Sequence, residues 1–194
     1  MSENTHQIDR LNRVVSALAE KYVGVFAAET IERVVFESYA SLLRAGTKAS
    51  SVTVFAEKFS KDRLRALATA KGNAAKDKPE VLFVCVQNAG RSQMAMALMA
   101  SLSGGAINVR SAGSMPASEV SAKTIAVMKE IGLDLTEAFP KPLTDDVVQA
   151  ADVVITMLPA AKHVKEVYLG ENGVLAVLKQ GSLCIDSSTI DPQT

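Results

Sequence analysis

Cys85 is followed six residues later by Arg91 and then by Ser92, in the run Val84-Cys85-Val86-Gln87-Asn88-Ala89-Gly90-Arg91-Ser92. The residues before it, Val81-Leu82-Phe83-Val84, read as a buried strand, and the apolar residues after Arg91 read as a helix. A tight polar loop between a strand and a helix is an oxyanion trap. Its amides and those of the helix N-terminus converge on one point, and the helix dipole adds positive potential there. Asn88 and Gly90 tolerate the left-handed dihedrals that such a loop needs. The guanidinium of Arg91 offers a planar fork to two oxygens. The same field favours a thiolate, so Cys85 is expected to be nucleophilic near neutral pH, with Ser92 placed to hydrogen-bond it. A cysteine on an apolar strand, taken alone, is usually core. The Arg-Ser pair that follows shifts the reading to chemistry.

What must position this loop is a chain of 194 residues, 48% apolar and 22% charged. That is enough apolar material for a packed core and argues against disorder. Lys+Arg and Asp+Glu number 21 each, so no basic field calls for nucleic acid or an anionic membrane as partner. No apolar run reaches the roughly 18 residues of a spanning helix. The start, MSENTHQIDR, lacks the apolar stretch of a secretory signal. The cytoplasm is the expected location. Two cysteines, Cys85 and Cys184, are too few for a disulfide framework. His6 and His163 lie far apart and read as surface residues. Neither a metal nor a bound cofactor is expected.

Residues 6–71 read as helical. Ile8, Leu11, Val15, Leu18 and Tyr22 form one apolar stripe. Ile31, Val34, Val35, Tyr39, Leu42 and Leu43 form a second, and Val52, Phe55, Phe59 and Leu67 a third. Lys71-Gly72 supplies a basic last turn and a C-cap glycine. The charge pairs of these helices read as a solvated face. A three-helix bundle is therefore expected over 1–72, a polar linker over 73–79 and an α/β domain over 80–194. In the second part, strands near 81–84, 107–111, 152–156 and 183–185 alternate with helices near 91–103, 118–131, 144–150 and 160–169. That order implies a four-stranded parallel sheet covered on both faces. Leu183-Cys184-Ile185 is expected to pair beside 152–156 with its side chains buried on both faces, which makes Cys184 core filler.

The Cys85–Ser92 loop resembles the phosphate loop of low-molecular-weight tyrosine phosphatases and of the arsenate reductases built on the same flavodoxin-like fold. Val109-Arg110-Ser111-Ala112-Gly113 and Phe139-Pro140-Lys141-Pro142-Leu143-Thr144 resemble arsenate reductases of the actinobacterial type more than phosphatases. Those relatives also carry a helical N-terminal extension. The resemblance covers about residues 6–157. It implies that Cys85 attacks arsenate and that Val86, Gln87, Asn88, Ala89 and Gly90, with Arg91, hold the oxygens. It implies that Ser92 and Asn88 support the thiolate and the loop. It further implies an Asp followed by Pro as the acid that protonates the leaving oxygen. Asp191-Pro192 is the one Asp-Pro pair in the chain, with an exposed tail turn as the competing reading.

After Met157 the sequence departs from that family, and the atypical segment runs from about 158. The further cysteines that thioredoxin-coupled relatives place here are absent, and position 90 is glycine. Residues 151–194 resemble instead a truncated segment of the 3-hydroxyisobutyrate (β-hydroxyacid) dehydrogenases, in Thr156-Met157-Leu158-Pro159 and in Ile185-Asp186-Ser187-Ser188-Thr189-Ile190-Asp191-Pro192. No G-x-G-x-x-G turn accompanies it, so no dinucleotide site or hydride transfer is expected.

The leading expectation is arsenate reduction, with an external thiol releasing arsenite: mycothiol or glutathione, or thioredoxin if Cys184 acts as a redox partner. A second reading is a phosphatase on the same loop, although the lack of aromatic residues after the loop argues against a phosphotyrosine pocket. A third is a non-catalytic oxyanion-binding or interaction module, because the C-terminal part is replaced. The N-terminal helices leave a homodimer or a regulatory role open.

Overall fold

The computed structural model describes residues 3–73, 77–191 and 193. Residues 74–76, inside the expected linker, and Pro192 lie outside them. The chain divides into two compact units, Met1–Ala75 and Lys76–Thr194.

The first unit holds α1 (Glu3–Lys21), α2 (Ala28–Arg44) and α3 (Ala49–Ala70), which pack on one another. Apolar residues three and four apart fill its core, among them Leu11, Leu18, Ile31, Leu42, Val52 and Phe59. Ile8 and Leu43, expected in the stripes, are exposed. Each sits at the edge of its stripe, and Leu42 takes the inward position beside Leu43. α3 ends as its sequence implies: Lys71 is the C-cap and Gly72 adopts φ +70°.

The charges are not all solvated. Arg63 is buried, donating to Glu37 Oε2 at 3.0 Å and to Ser38 Oγ at 3.2 Å. Partial burial works to raise the pKa of Glu37. The bonds and charges of Arg63 and then of Arg33 outweigh it and hold the carboxyl below its ordinary value.

The second unit is β1 (Glu80–Cys85), α4 (Arg91–Leu102), β2 (Asn108–Gly113), α5 (Ala122–Glu130), α6 (Asp145–Ala150), β3 (Val153–Thr156), α7 (Ala161–Leu169), α8 (Val174–Val177) and β4 (Leu183–Asp186). The sheet has the order β2-β1-β3-β4, and every pairing is parallel. This is the four-stranded α/β arrangement that the alternation of strands and helices implies. β1 lies inside the sheet and is buried along its whole length, which is why it reads as continuous apolar sequence. Glu80 opens it from a buried position, accepting from Arg110 Nε at 3.0 Å and from Asn108 Nδ2 at 2.9 Å. That pair pins β2 in a register that sets Gly113 beside Cys85.

Two expectations need correction. β4 does pair with β3, yet Leu183 and Ile185 remain 55% and 40% exposed. β4 is an edge strand, and the face these residues share by register with Val153 and Ile155 is left open. α5 starts at Ala122, later than expected, because Ser121 N–H is drawn to Ala89 O at 3.0 Å and the preceding residues stay outside the helix. α8 is a single turn, too short to leave a periodic signal. The segment after Met157 is bound into the sheet. Leu158 N–H donates to Ser188 Oγ at 2.8 Å, and Thr156 Oγ1 donates to Asp186 Oδ1 at 2.7 Å. Among the described residues, no helix is long and apolar enough to cross a membrane.

Candidate active site

β1 delivers Cys85 to its C-terminal end, 3% exposed, and the chain then turns through residues 86–90 into α4. Asn88 occupies the left-handed region at φ +48° and is fully buried. Its amide N–H donates to Cys85 Sγ at 3.2 Å. Its side-chain orientation is fixed by partners: Oδ1 accepts from Gln93 Nε2 at 3.0 Å and from Lys141 N–H at 2.8 Å. An oxygen must therefore stand there, and Nδ2 is left to donate to Ser92 Oγ at 2.8 Å. A hydroxyl has one proton. With Asn88 donating into its oxygen, Ser92 directs that proton to Cys85 Sγ, 3.0 Å away. Two donors thus converge on the sulfur of Cys85.

The loop amides of residues 86, 87, 89 and 90 donate to no protein acceptor among the described residues. The first intrahelical bond of α4 is Met94 N–H to Gly90 O at 2.9 Å, so the amides of residues 91–93 also precede the helical ladder. An open cavity of about 490 Å³ lies over this loop. Its floor is Cys85, Val86, Gln87, Ala89 and Gly90, with Arg91 exposed at the rim. Met94, Ser121, Thr124 and Pro159 form the walls. Pro159 comes from the turn between β3 and α7. Among the described residues, no carboxylate pairs with Arg91, which leaves its fork available to an anion.

The loop is held from below by residues that its own pattern does not reveal. Gln93 is fully buried and also donates to Phe139 O at 2.9 Å, tying the loop to a segment 46 residues away. Gly113 is required for space: a Cβ there would stand 2.6 Å from Val86 O and 3.0 Å from Asn88 N. The only sequence signals for these roles are the 109–113 and 139–144 blocks, which carry the family resemblance without showing why. Ser114, Met115 and Ala117 then donate N–H bonds to the carbonyls of Cys85, Val86 and Gln87. Those carbonyls are thereby occupied by the segment that follows β2.

Asp191 and Cys184 are not brought to this cavity. Asp191 is exposed, and its Oδ1 accepts from Gln193 N–H at 3.1 Å. Cys184 pairs with Val154, which pairs with Leu82, so it is two strands across and three residues back from Cys85. That puts the Cα atoms about 14 Å apart, against about 6 Å for a disulfide. The odd offset also points the two side chains to opposite faces of the sheet. Burial pushes the Cys184 thiol up from its ordinary pKa. Among the described residues, no cluster of His, Cys, Asp or Glu could hold a metal.

Residues 80–172 match the family model for low molecular weight phosphotyrosine protein phosphatases. Residues 11–68 match the model for the N-terminal domain of protein-tyrosine-phosphatase-like proteins. Fold and loop together thus define a protein of the low-molecular-weight phosphatase class with a helical domain in front. The thioredoxin-dependent arsenate reductase of Corynebacterium glutamicum is 45% identical and superposes with a TM-score of 0.79, over 93% of this chain and 84% of that one. The chain belongs to the arsenate reductases of the low-molecular-weight phosphatase fold that carry this N-terminal domain. A short stretch of the chain is also similar to 3-hydroxyisobutyrate dehydrogenases. The probable mitochondrial enzyme of Dictyostelium discoideum is 57% identical over 49 residues, and that of Rattus norvegicus 60% over 47. The chain spans only 15% and 14% of the length of these curated relatives.

Proposed function

We propose that the chain reduces arsenate to arsenite, with Cys85 as nucleophile, the loop from Val86 to Gly90 and Arg91 as oxyanion cradle, and an external thiol as the source of electrons. The observation that carries this is the sulfur of Cys85, held by Ser92 and Asn88 at the floor of a cavity lined by unpartnered amides. The thiolate attacks arsenic(V), an arsenate hydroxyl takes a proton from solvent and departs as water, and a Cys85–S–As bond forms. An external thiolate then takes the Cys85 sulfur and the As–S electron pair stays on arsenic, which leaves as arsenite. A second thiol breaks the resulting mixed disulfide and restores Cys85. Two thiols thereby supply the two electrons.

The electron donor we favour is a small thiol such as glutathione or mycothiol, which the reducing cytoplasm maintains. Cys184, the chain's other cysteine, lies on the opposite face of the sheet from Cys85. Thioredoxin is the second reading, favoured by the thioredoxin dependence of the Corynebacterium glutamicum relative. The exposed position of Asp191 favours the tail-turn reading over a role as acid. Anaerobic release of arsenite, assayed with glutathione, tests the proposal. The wild-type chain should turn over and Cys85→Ser should not; equal rates would refute it.

A further inference from the structure

A second helix begins at the same cavity. Ser121, the N-cap of α5, and Thr124, in its first turn, both line the wall above the loop. Ser121 makes no side-chain cap bond, so that helix end spends no hydroxyl on its own amides. Ser121 N–H is bonded to Ala89 O at 3.0 Å, which fixes the helix start against the loop. Thr124 is only 7% exposed, yet its hydroxyl has no partner among the described residues. Its Oγ1 is not among the fully buried polar atoms left without a partner, so it opens on the cavity that Thr124 lines. Its Oγ1 lies 3.5 Å from where a Cβ on Gly90 would stand, and Gly90 carries no side chain to screen it from the loop.

We infer that Thr124 is a specificity-determining residue: its hydroxyl hydrogen-bonds the oxygen of the bound oxyanion that points away from Cys85, and so selects free inorganic oxyanions over phosphoesters. The inference rests on the reading of the Cys85 loop as the oxyanion site. A tetrahedral anion seated in the loop gives three oxygens to the amides and Arg91. The fourth, opposite the attacking sulfur, faces the walls. In arsenate or phosphate it is a bare oxygen that accepts from Thr124. In an ester it carries carbon, which covers the hydroxyl with an apolar group and leaves it neither water nor anion as partner. The discrimination follows from covering a polar group and leaving it unpaired.

Inorganic phosphate and phenylphosphonate separate these cases, because they differ in the fourth substituent and neither is turned over. Affinities are read by calorimetry on the full chain. The wild type should prefer phosphate. Thr124→Val should weaken phosphate about tenfold, the scale of one hydrogen bond to a charged group, while phenylphosphonate binding is retained and reports an intact loop. Thr124→Ser should restore the phosphate preference. Equal weakening of both anions, or no change in either, would overturn the inference while leaving the Cys85 reading in place. A wild-type chain that binds neither anion would overturn the site reading itself, and this inference with it.

Discussion

Asn88 links the nucleophile to everything that supports it. Its amide and side chain reach Cys85, Ser92, Gln93 and Lys141 at once, from a left-handed backbone that most residues avoid. The result is two hydrogen bonds aimed at one sulfur, while Cys184 has only burial acting on it. Iodoacetamide at neutral pH should therefore alkylate Cys85 before Cys184, and phosphate should protect Cys85 alone. Equal labelling followed by peptide mass spectrometry, with no protection, would remove the basis for the assignment. Cys85, Asn88, Arg91 and Ser92 were legible in the sequence because they fall within eight consecutive positions and act locally. Gln93, Thr124 and the Lys141 amide were not, because their roles exist only after segments distant in sequence are packed against the loop.

Among the elements, β2 matters most for the shape of the loop. Gly113 ends it, and the loop crosses over that glycine with no room for a methyl group. Gly113→Ala should cost about 1–3 kcal/mol through overpacking and should displace the loop, so that thermal stability and phosphate affinity fall together. Loss of stability with unchanged phosphate affinity would show that the loop does not depend on β2. In the bundle, Glu37 offers a test by pH. Its folded-state pKa is depressed, so its contribution is fully present above the ordinary 4.5 and is lost as pH falls through the lower value. Glu37→Gln should flatten that acid limb of the stability profile measured by thermal melts; an unchanged limb would show that the Arg63 contact is without effect. The strands and most helices could be read from periodicity. The burial of β4 could not, because an apolar Leu-Cys-Ile run looks the same on an open edge as in a covered sheet.

At the scale of the whole molecule, the sheet itself separates the two cysteines: strand register sets Cys85 and Cys184 on opposite faces, about 14 Å apart. The Cys85 loop lies upstream of Met157, and among the described residues the segment after Met157 lines its cavity with Pro159. A chain organised this way should carry its whole redox cycle on Cys85 and an external thiol. The most direct test is mass spectrometry of the chain quenched with acid during anaerobic turnover of arsenate with glutathione. Glutathione should be found in disulfide linkage on the peptide containing Cys85, dependent on arsenate, with Cys184 unmodified. An arsenate-dependent disulfide between Cys85 and Cys184, or glutathione found on Cys184 alone, would contradict it.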